Sequence, residues 1–426
     1  MSSPEQPQVE VAQGGFGPVL ANPSFLVLWL GQVFSQTADK LVFILLVSIV
    51  GEQSSSSTHM SIALALHAMP NVLFGAVAGV LVDRWDKRWV MIITNAGRAA
   101  FVIALGAFGH QSLAIAIGLA FLIACFSQPF IPAEGATIPL VVKREQLLQA
   151  NSLFATTMIG SVIVAFTLGE PLIQWVGSRN AAWVVGGAFF ASVVFIYFVR
   201  YNQADQRSAH GAFMDQLKSG FGYIRRTRVI LHTLFQQVAL FAMFAAMSVL
   251  AIIFAKNELK TNFSWFLASA GVGMAIGSWV LGHYGLKWNK SVTVVTGFLL
   301  SGVVLSVLAF LGADHLVPAF VVAVLLGFSS SLVAVPLQTR LQELTPEHLR
   351  GKVFGAQNMV LNIATTIPIA AAGFLVDALG LRVVILSTAI LMAVAGVLTW
   401  LDMRVIGTAP DSAAVPEPAP AADEGT

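Results

Sequence analysis

The stretch Gly79-Val80-Leu81-Val82-Asp83-Arg84-Trp85-Asp86-Lys87-Arg88 decides how the chain is read. Five of its last six residues are charged, in a chain where charged residues make up only 10%. Long apolar runs flank it, so it is a short polar connection between two greasy segments. Gly79 lies four residues before Asp83, on the same helical face, and lets another backbone approach closely. Asp83 and Arg84 mark the end of one helix, and Lys87 and Arg88 open the next. One reading is a solvated turn between membrane helices. The other is a built contact point, because the arrangement is more specific than charge alone requires.

Composition favours a membrane on both sides of that turn. The 426 residues are 57% hydrophobic and only 10% charged, against roughly 25% charged in an average soluble domain, and the mean hydropathy is +0.80. A net charge of +2, with basic residues scattered over short loops, leaves no nucleic-acid footprint. The single cysteine, Cys125, lies in an apolar run and reads as a buried structural thiol. The first two dozen residues carry Glu5 and Glu10 and no Lys or Arg, unlike a secretory leader, so the first apolar run is expected to stay as a membrane helix.

A membrane helix needs roughly 20 mainly apolar residues. That ruler predicts helices near 25–50, 61–83, 89–109, 112–135, 150–175 and 181–200, then near 229–255, 262–284, 291–312, 316–340, 352–377 and 382–402. The expected fold is an all-α membrane protein of twelve transmembrane helices in two pseudo-symmetric six-helix bundles. Residues 1–24 form an N-terminal tail, 25–200 the first bundle, 201–228 a linker, 229–402 the second bundle and 403–426 a disordered Ala/Pro/acid tail. The linker has an amphipathic pattern (Phe213, Leu217, Phe221, Ile224) suited to lying along the membrane surface. Loops on the side of the termini hold seventeen basic residues against four opposite. Both termini and the linker are therefore expected in the cytoplasm.

The halves repeat at an offset of about 200 residues. Pro132-Ala133-Glu134, a charged loop and Gln149-Ala150-Asn151 in the first half match Pro336-Leu337-Gln338, Glu343, Pro346, Arg350 and Gly351 in the second. Gly282 to Lys290 is a weaker echo of the opening stretch and lacks its acid. Duplicated halves about a midplane site are a common plan for secondary transporters. Gly79 to Arg88 resembles the loop between helices 2 and 3 of the major facilitator superfamily, Gly-x-Leu-Ala-Asp-Arg-x-Gly-Arg-Arg, with Asp86 in place of the second glycine. By that resemblance Gly79, Asp83, Arg84, Lys87 and Arg88 form a conformational latch. Asp83 would contact the start of helix 11, and Arg84 or Arg88 would pair with a cytoplasmic carboxylate.

A narrower resemblance covers most of the chain. Asn22-Pro23 to Gln32, then Ser35 and Asp39, is similar to the first helix of the drug:proton antiporters that include macrolide-efflux and enterobactin-export proteins. Pro132, Pro139 and Glu145 to Asn151 resemble their helix 4–5 connection, and Gln338, Glu343, Pro346, Arg350 and Gly351 their helix 10–11 connection. Glu134 and Glu170 depart from the branch pattern, each bringing a carboxylate where it is not usual.

The chain carries no P-loop, catalytic triad or metal-ligand pattern, so no enzyme, metal or cofactor is expected. Ionisable groups inside apolar helices are the candidates, because the bilayer makes them costly. Asp39 lies about 14 residues into helix 1, about 21 Å along it. Lys40 projects about 100° away from it, whereas Gln36 shares its polar side. Asp39, Lys40, Glu134, Gln36 and Gln236 are the candidates for proton coupling or substrate contact. A structural ion pair of Asp39 with Lys40 or Arg98 is the competing reading. Arg98 and Glu170 are expected as structural intramembrane charges. The second half has no acid within a helix before Asp377, which places coupling in the first half.

These readings converge on a proton-driven exporter of a small amphipathic compound, drug-like or siderophore, working by alternating access in the cytoplasmic membrane of a bacterial cell. Its expected partners are the small-molecule substrate, protons and the lipid bilayer, without nucleic acid, and the chain is expected to act as a monomer. A lipid flippase of the same fold and a non-transporting receptor or scaffold are the alternatives.

Overall fold

The computed structural model describes residues 16–75, 78, 82, 85–143, 146–201, 213–284, 288–346 and 349–406. Among them there is no strand. The membrane helices are α1 (Pro23–Gln53), α2 (Ser57–Leu73), α3 (Lys87–Phe108), α4 (Leu113–Val141), α5 (Leu147–Val176) and α6 (Ser178–Tyr197). The second half supplies α7 (Arg228–Asn257), α8 (Phe263–Tyr284), α9 (Lys290–Leu308), α10 (Leu316–Leu344), α11 (Arg350–Leu379) and α12 (Leu381–Ile406). Among the described residues, eleven stretches are long and apolar enough to cross a membrane. α2, with 17 described residues, completes the twelve.

Local chemistry sets the helix ends. Asn22 caps α1 by accepting from the amides of Ser24 and Phe25, and Pro23 opens the first turn. Ser56, Asp86, Ser112 and Asn289 do the same for α2, α3, α4 and α9. α5 and α11 both end at a glycine of positive φ, Gly177 (φ 80) and Gly380 (φ 86), and each leads straight into the next helix. Their ψ values of 152 and 148 fall in a region only glycine enters freely. The same device at the same place in both halves supports the repeat.

Prolines lie inside several of the helices, and at one of them the helix breaks. α4 is two pieces, Leu113–Ser127 and Phe130–Val141, divided at Gln128-Pro129. Pro171, Pro336 and Pro368 lie inside continuous helices. Within the first bundle α1 packs on α5 and α6, and α3 on α4 and α6; within the second, α9 packs on α10 and α12, and α8 on α10. The bundles meet chiefly along α2 with α11 and α5 with α8. Large apolar side chains such as Trp175, Trp183, Phe190, Phe235 and Ile390 remain exposed outward, as a bilayer-facing surface requires.

The linker helix, Phe213–Arg226, makes protein contacts at its C-terminal end. Ile224 is buried with Ile230, Leu341 and Val353, and the Tyr223 hydroxyl donates to Leu344 O at 3.4 Å. The C-terminal end of the segment is docked under the ends of α10 and α11 through Ile224, while Phe221 stays exposed. Of the opening stretch, Gly79, Asp83 and Arg84 lie outside the described residues, as do 1–15 and 407–426.

Candidate functional site

One face of α1 repeats a polar residue every three or four positions: Gln32, Ser35 or Gln36, and Asp39. Gln32, Ser35 and Gln36 are buried, and Asp39 keeps 28% of its side chain exposed. Asn95 and Arg98 of α3 face them, buried at 0% and 2%. The Arg98 guanidinium donates to Ser35 Oγ at 2.9 Å and to Asn95 Oδ1, and its Nη1 lies 3.6 Å from Asp39 Oδ1. The guanidinium lies over the rings of Phe130 and Phe189, each centroid 4.6 Å away. A cation over aromatic faces gains quadrupole attraction and loses water at once. Asn95 continues the network by donating to Ser192 Oγ at 2.8 Å, and Ser192 donates to Gly31 O at 2.6 Å.

Asp39 is the joint of the cluster. Ser127, beside the break in α4, donates to its Oδ1 at 3.1 Å, and Lys40 Nζ donates to its Oδ2 at 3.2 Å. The 100° between neighbouring residues does not separate Asp39 from Lys40, because the lysine stem is long enough to fold back. The competing ion pairs read from sequence, with Lys40 and with Arg98, both exist. Glu134 is buried at 5% within electrostatic reach of Arg98, and its Oε1 has no hydrogen-bond partner among the described residues. Arg98 Nε and Gln32 Oε1 share that condition. His67 of α2 lies in the field of Asp39 and Lys40, with Nδ1 3.3 Å from Ala120 O. Two acids, Asp39 and Glu134, and three basic side chains, Lys40, Arg98 and His67, thus stand together in the first half. An unpaired charge in such a place is expensive, so the groups hold one another ionised or exchange a proton.

The second half is built differently at the equivalent depth. Gln357 of α11 donates to Gln237 Oε1 at 2.7 Å and Gln338 Oε1 at 3.0 Å, and Gln237 of α7 donates to Gln338 of α10 at 3.1 Å. Gln338, the repeat partner of Glu134, is therefore satisfied by neutral amides. Gln236 is elsewhere: with His232, Phe235, Phe298 and Thr399 it lines a groove of about 390 Å³ between α7, α9 and α12. Glu343 pairs with Lys290 Nζ at 2.5 Å, joining α10 to α9 inside the second half. Pro346 follows α10, and Arg350 and Gly351 open α11.

The described part of the opening loop is tied to its own half. Asp86 caps α3 by accepting from Trp89 N at 3.1 Å, and it accepts from the Tyr201 hydroxyl at 3.0 Å. That hydroxyl accepts from Arg88 N at 3.0 Å, while the Arg88 guanidinium donates to Val199 O at 3.3 Å and covers Tyr197. Burial pushes the Tyr201 phenol up to about 12, so it remains a donor. Among the described residues Arg88 contacts no carboxylate of the second half; Arg84 and the loop acids Glu145 and Glu347 lie outside the described residues. Lys87 is buried at the start of α3. Glu170, at the far end of α5, accepts from Ser264 N of α8 at 2.9 Å.

Sequence reasoning found Asp39, Arg98 and Glu134 but missed Asn95, Ser127, Ser192 and His67 around them. Small polar residues are too common in membrane helices to single out. Only the helix rotations reveal which of them face the arginine.

Comparison with known proteins places this architecture. The chain is 25% identical to an uncharacterised MFS-type transporter, YfiS, of Bacillus subtilis (strain 168), over 91% of this chain and 95% of that one. It is 27% identical to the multidrug efflux pump Tap of Mycolicibacterium fortuitum, over 82% and 88%. It is 24% identical to macrolide efflux protein A of Streptococcus pyogenes, over 84% and 90%. In fold it is similar to the nucleoside transporter NupG (TM-score 0.66, 11% identity, 91% of this chain and 99% of that one). It is also similar to an auto-inhibited POT family peptide transporter (TM-score 0.70, 12% identity, 89% and 96%). The family model of the Major Facilitator Superfamily matches residues 28–368, and again 238–424. With twelve helices, a duplicated plan and this match, the chain is a multi-pass membrane transporter that belongs to the Major Facilitator Superfamily.

Proposed function

We propose that the protein exports a small amphipathic compound, drug-like or siderophore, from the cytoplasm by alternating access, in exchange for protons. The observation that carries this reading is the first-half cluster of Asp39, Lys40, Arg98 and Glu134. Gln338, the repeat partner of Glu134 in the second half, is a neutral amide bonded to Gln237 and Gln357. With both acids ionised the four charges cancel; a proton on either acid leaves the site with one surplus positive charge. A cationic or polarised cargo and a proton then compete for the same pair of carboxylates, which is what antiport needs. The likeness to two efflux proteins supports export as the direction.

The bundles 25–200 and 229–402 rock about this site, joined by the linker 201–228, with both termini cytoplasmic. The stretch Gly79, Asp83, Arg84, Lys87 and Arg88 serves as the latch on that side. Arg98 holds Asp39 in place, and Glu134, whose Oε1 lacks a hydrogen-bond partner among the described residues, is the freer proton carrier. Export of a fluorescent cation from everted vesicles, with and without a proton gradient, tests the reading. Asp39→Asn and Glu134→Gln should each abolish gradient-dependent export while leaving the protein in the membrane. Export indifferent to the gradient would remove proton coupling.

A further inference from the structure

At the end of the bundle remote from the termini, the two halves exchange helix caps. Asp377 of α11 reaches across to the start of α2. It accepts from Ser57 N at 3.1 Å, Thr58 N at 2.8 Å and Ser56 Oγ at 2.8 Å. Glu170 of α5 reaches the opposite way and accepts from Ser264 N, in the first turn of α8, at 2.9 Å. α5 and α11 are repeat partners, and so are α2 and α8. Each half therefore lends a carboxylate to the other half's helix. Gln174 Nε2 donates to Asn262 Oδ1 at 2.7 Å, and Trp265 Nε1 donates to Thr167 O at 3.3 Å, along the same seam as Glu170. Beside Asp377 the backbones touch, since a Cβ at Gly373 would fall on Ser57 O and Ser61 Oγ.

The first-turn amides of a helix have no partner within that helix, and a carboxylate there also meets the positive end of the helix dipole. Inside one rigid bundle such a cap would be plain helix stabilisation. Here donor and acceptor belong to different bundles, so separating the bundles at this end strips both caps at once.

We infer that Asp377 and Glu170 are the gate of this end, two reciprocal inter-half caps whose joint release is the step that opens the site to the side away from the termini. The inference rests on alternating access as proposed above, but not on the cargo or on protons. Its experiment uses neither. In the full chain carrying Cys125→Ser, Ser61→Cys places a thiol at a position 0% exposed under the seam. A membrane-impermeant maleimide added on the side remote from the termini then reports opening. Asp377→Ala and Glu170→Ala should each speed labelling about fivefold, and together about 25-fold, as loss of one and two caps implies. Glu170→Gln keeps the one acceptor oxygen that Ser264 N uses and should stay near the parental rate, whereas Asp377→Asn, which loses one of the two oxygens in use, should fall between the parent and Asp377→Ala. Labelling unmoved in both alanine variants, or equal in the alanine and amide variants, overturns the gate. Should an alanine variant not reach the membrane, hydrogen exchange in the parental chain decides. The amides of Thr58 and Ser264, in different halves, should exchange at one shared rate, and unrelated rates overturn it.

Discussion

Arg98 shows most clearly how a residue legible in sequence gains its meaning from structure. Sequence marks it as a costly intramembrane charge with a structural role. The fold adds the two rings, the Ser35 and Asn95 acceptors, and the carboxylate at 3.6 Å. Removing one partner of a buried pair costs about 3–5 kcal/mol, because the other is left uncompensated. Arg98→Ala should therefore lower stability by that order, visible as a large fall in the unfolding midpoint in detergent. A change under about 1 kcal/mol, the scale of an exposed pair, would show that Lys40 alone sustains Asp39. Glu134 should behave differently. Its Oε1 has no hydrogen-bond partner among the described residues, so Glu134→Gln should lower the midpoint by less than Arg98→Ala does, losing only the attraction to Arg98. The same variant should still stop gradient-dependent export. Neither Asn95 nor Ser192 was legible, since an Asn and a Ser on helices 3 and 6 advertise nothing until their faces are known.

At the scale of the element, two departures from pattern prove to have local causes. Asp86 stands where the resembling loop has glycine, and it is the N-cap of α3 as well as the acceptor for Tyr201. Its φ of -62 calls for no glycine. Asp86→Gly, which restores the family pattern, should nonetheless destabilise the chain by about 1 kcal/mol through the lost hydrogen bonds. Equal or higher stability would show that the cap adds nothing here. Gly177 and Gly380 are the reverse case, positions where the backbone admits little else. Alanine at either should cost about 1–3 kcal/mol, read from equilibrium unfolding, with no effect expected on the opposite half's connection. Helix existence was readable from run length and caps. The division of α4 at Pro129 was only half readable, as proline signals a bend but packing decides whether the helix breaks.

For the whole molecule, the twelve-helix plan was legible because a bilayer imposes length and hydropathy on every span. The duplication was legible because equivalent prolines and acids recur. The docking of the linker helix was not, since an amphipathic face fits a membrane surface and a helix end equally well. The excess of basic residues on one side predicts a definite orientation. In a Cys125→Ser chain, Lys260→Cys should react with an impermeant maleimide on intact cells, and Lys143→Cys only after permeabilisation. The opposite pattern would invert the proposed topology.

The charged residues of the site belong to one bundle, while in the other Gln237, Gln338 and Gln357 bond one another as neutral amides. The molecule is thus electrically lopsided as well as structurally duplicated. A transmembrane voltage does work on a charge in proportion to the fraction of the field it crosses, about 2.3 kcal/mol per charge per 100 mV for the full span. Asp39 stands near the middle of a 31-residue helix. A proton arriving there from one face has crossed about half the field, or about 1.2 kcal/mol per 100 mV. The voltage therefore acts as a driving force of its own on the first bundle, and the second bundle's glutamines carry no charge for it to pull.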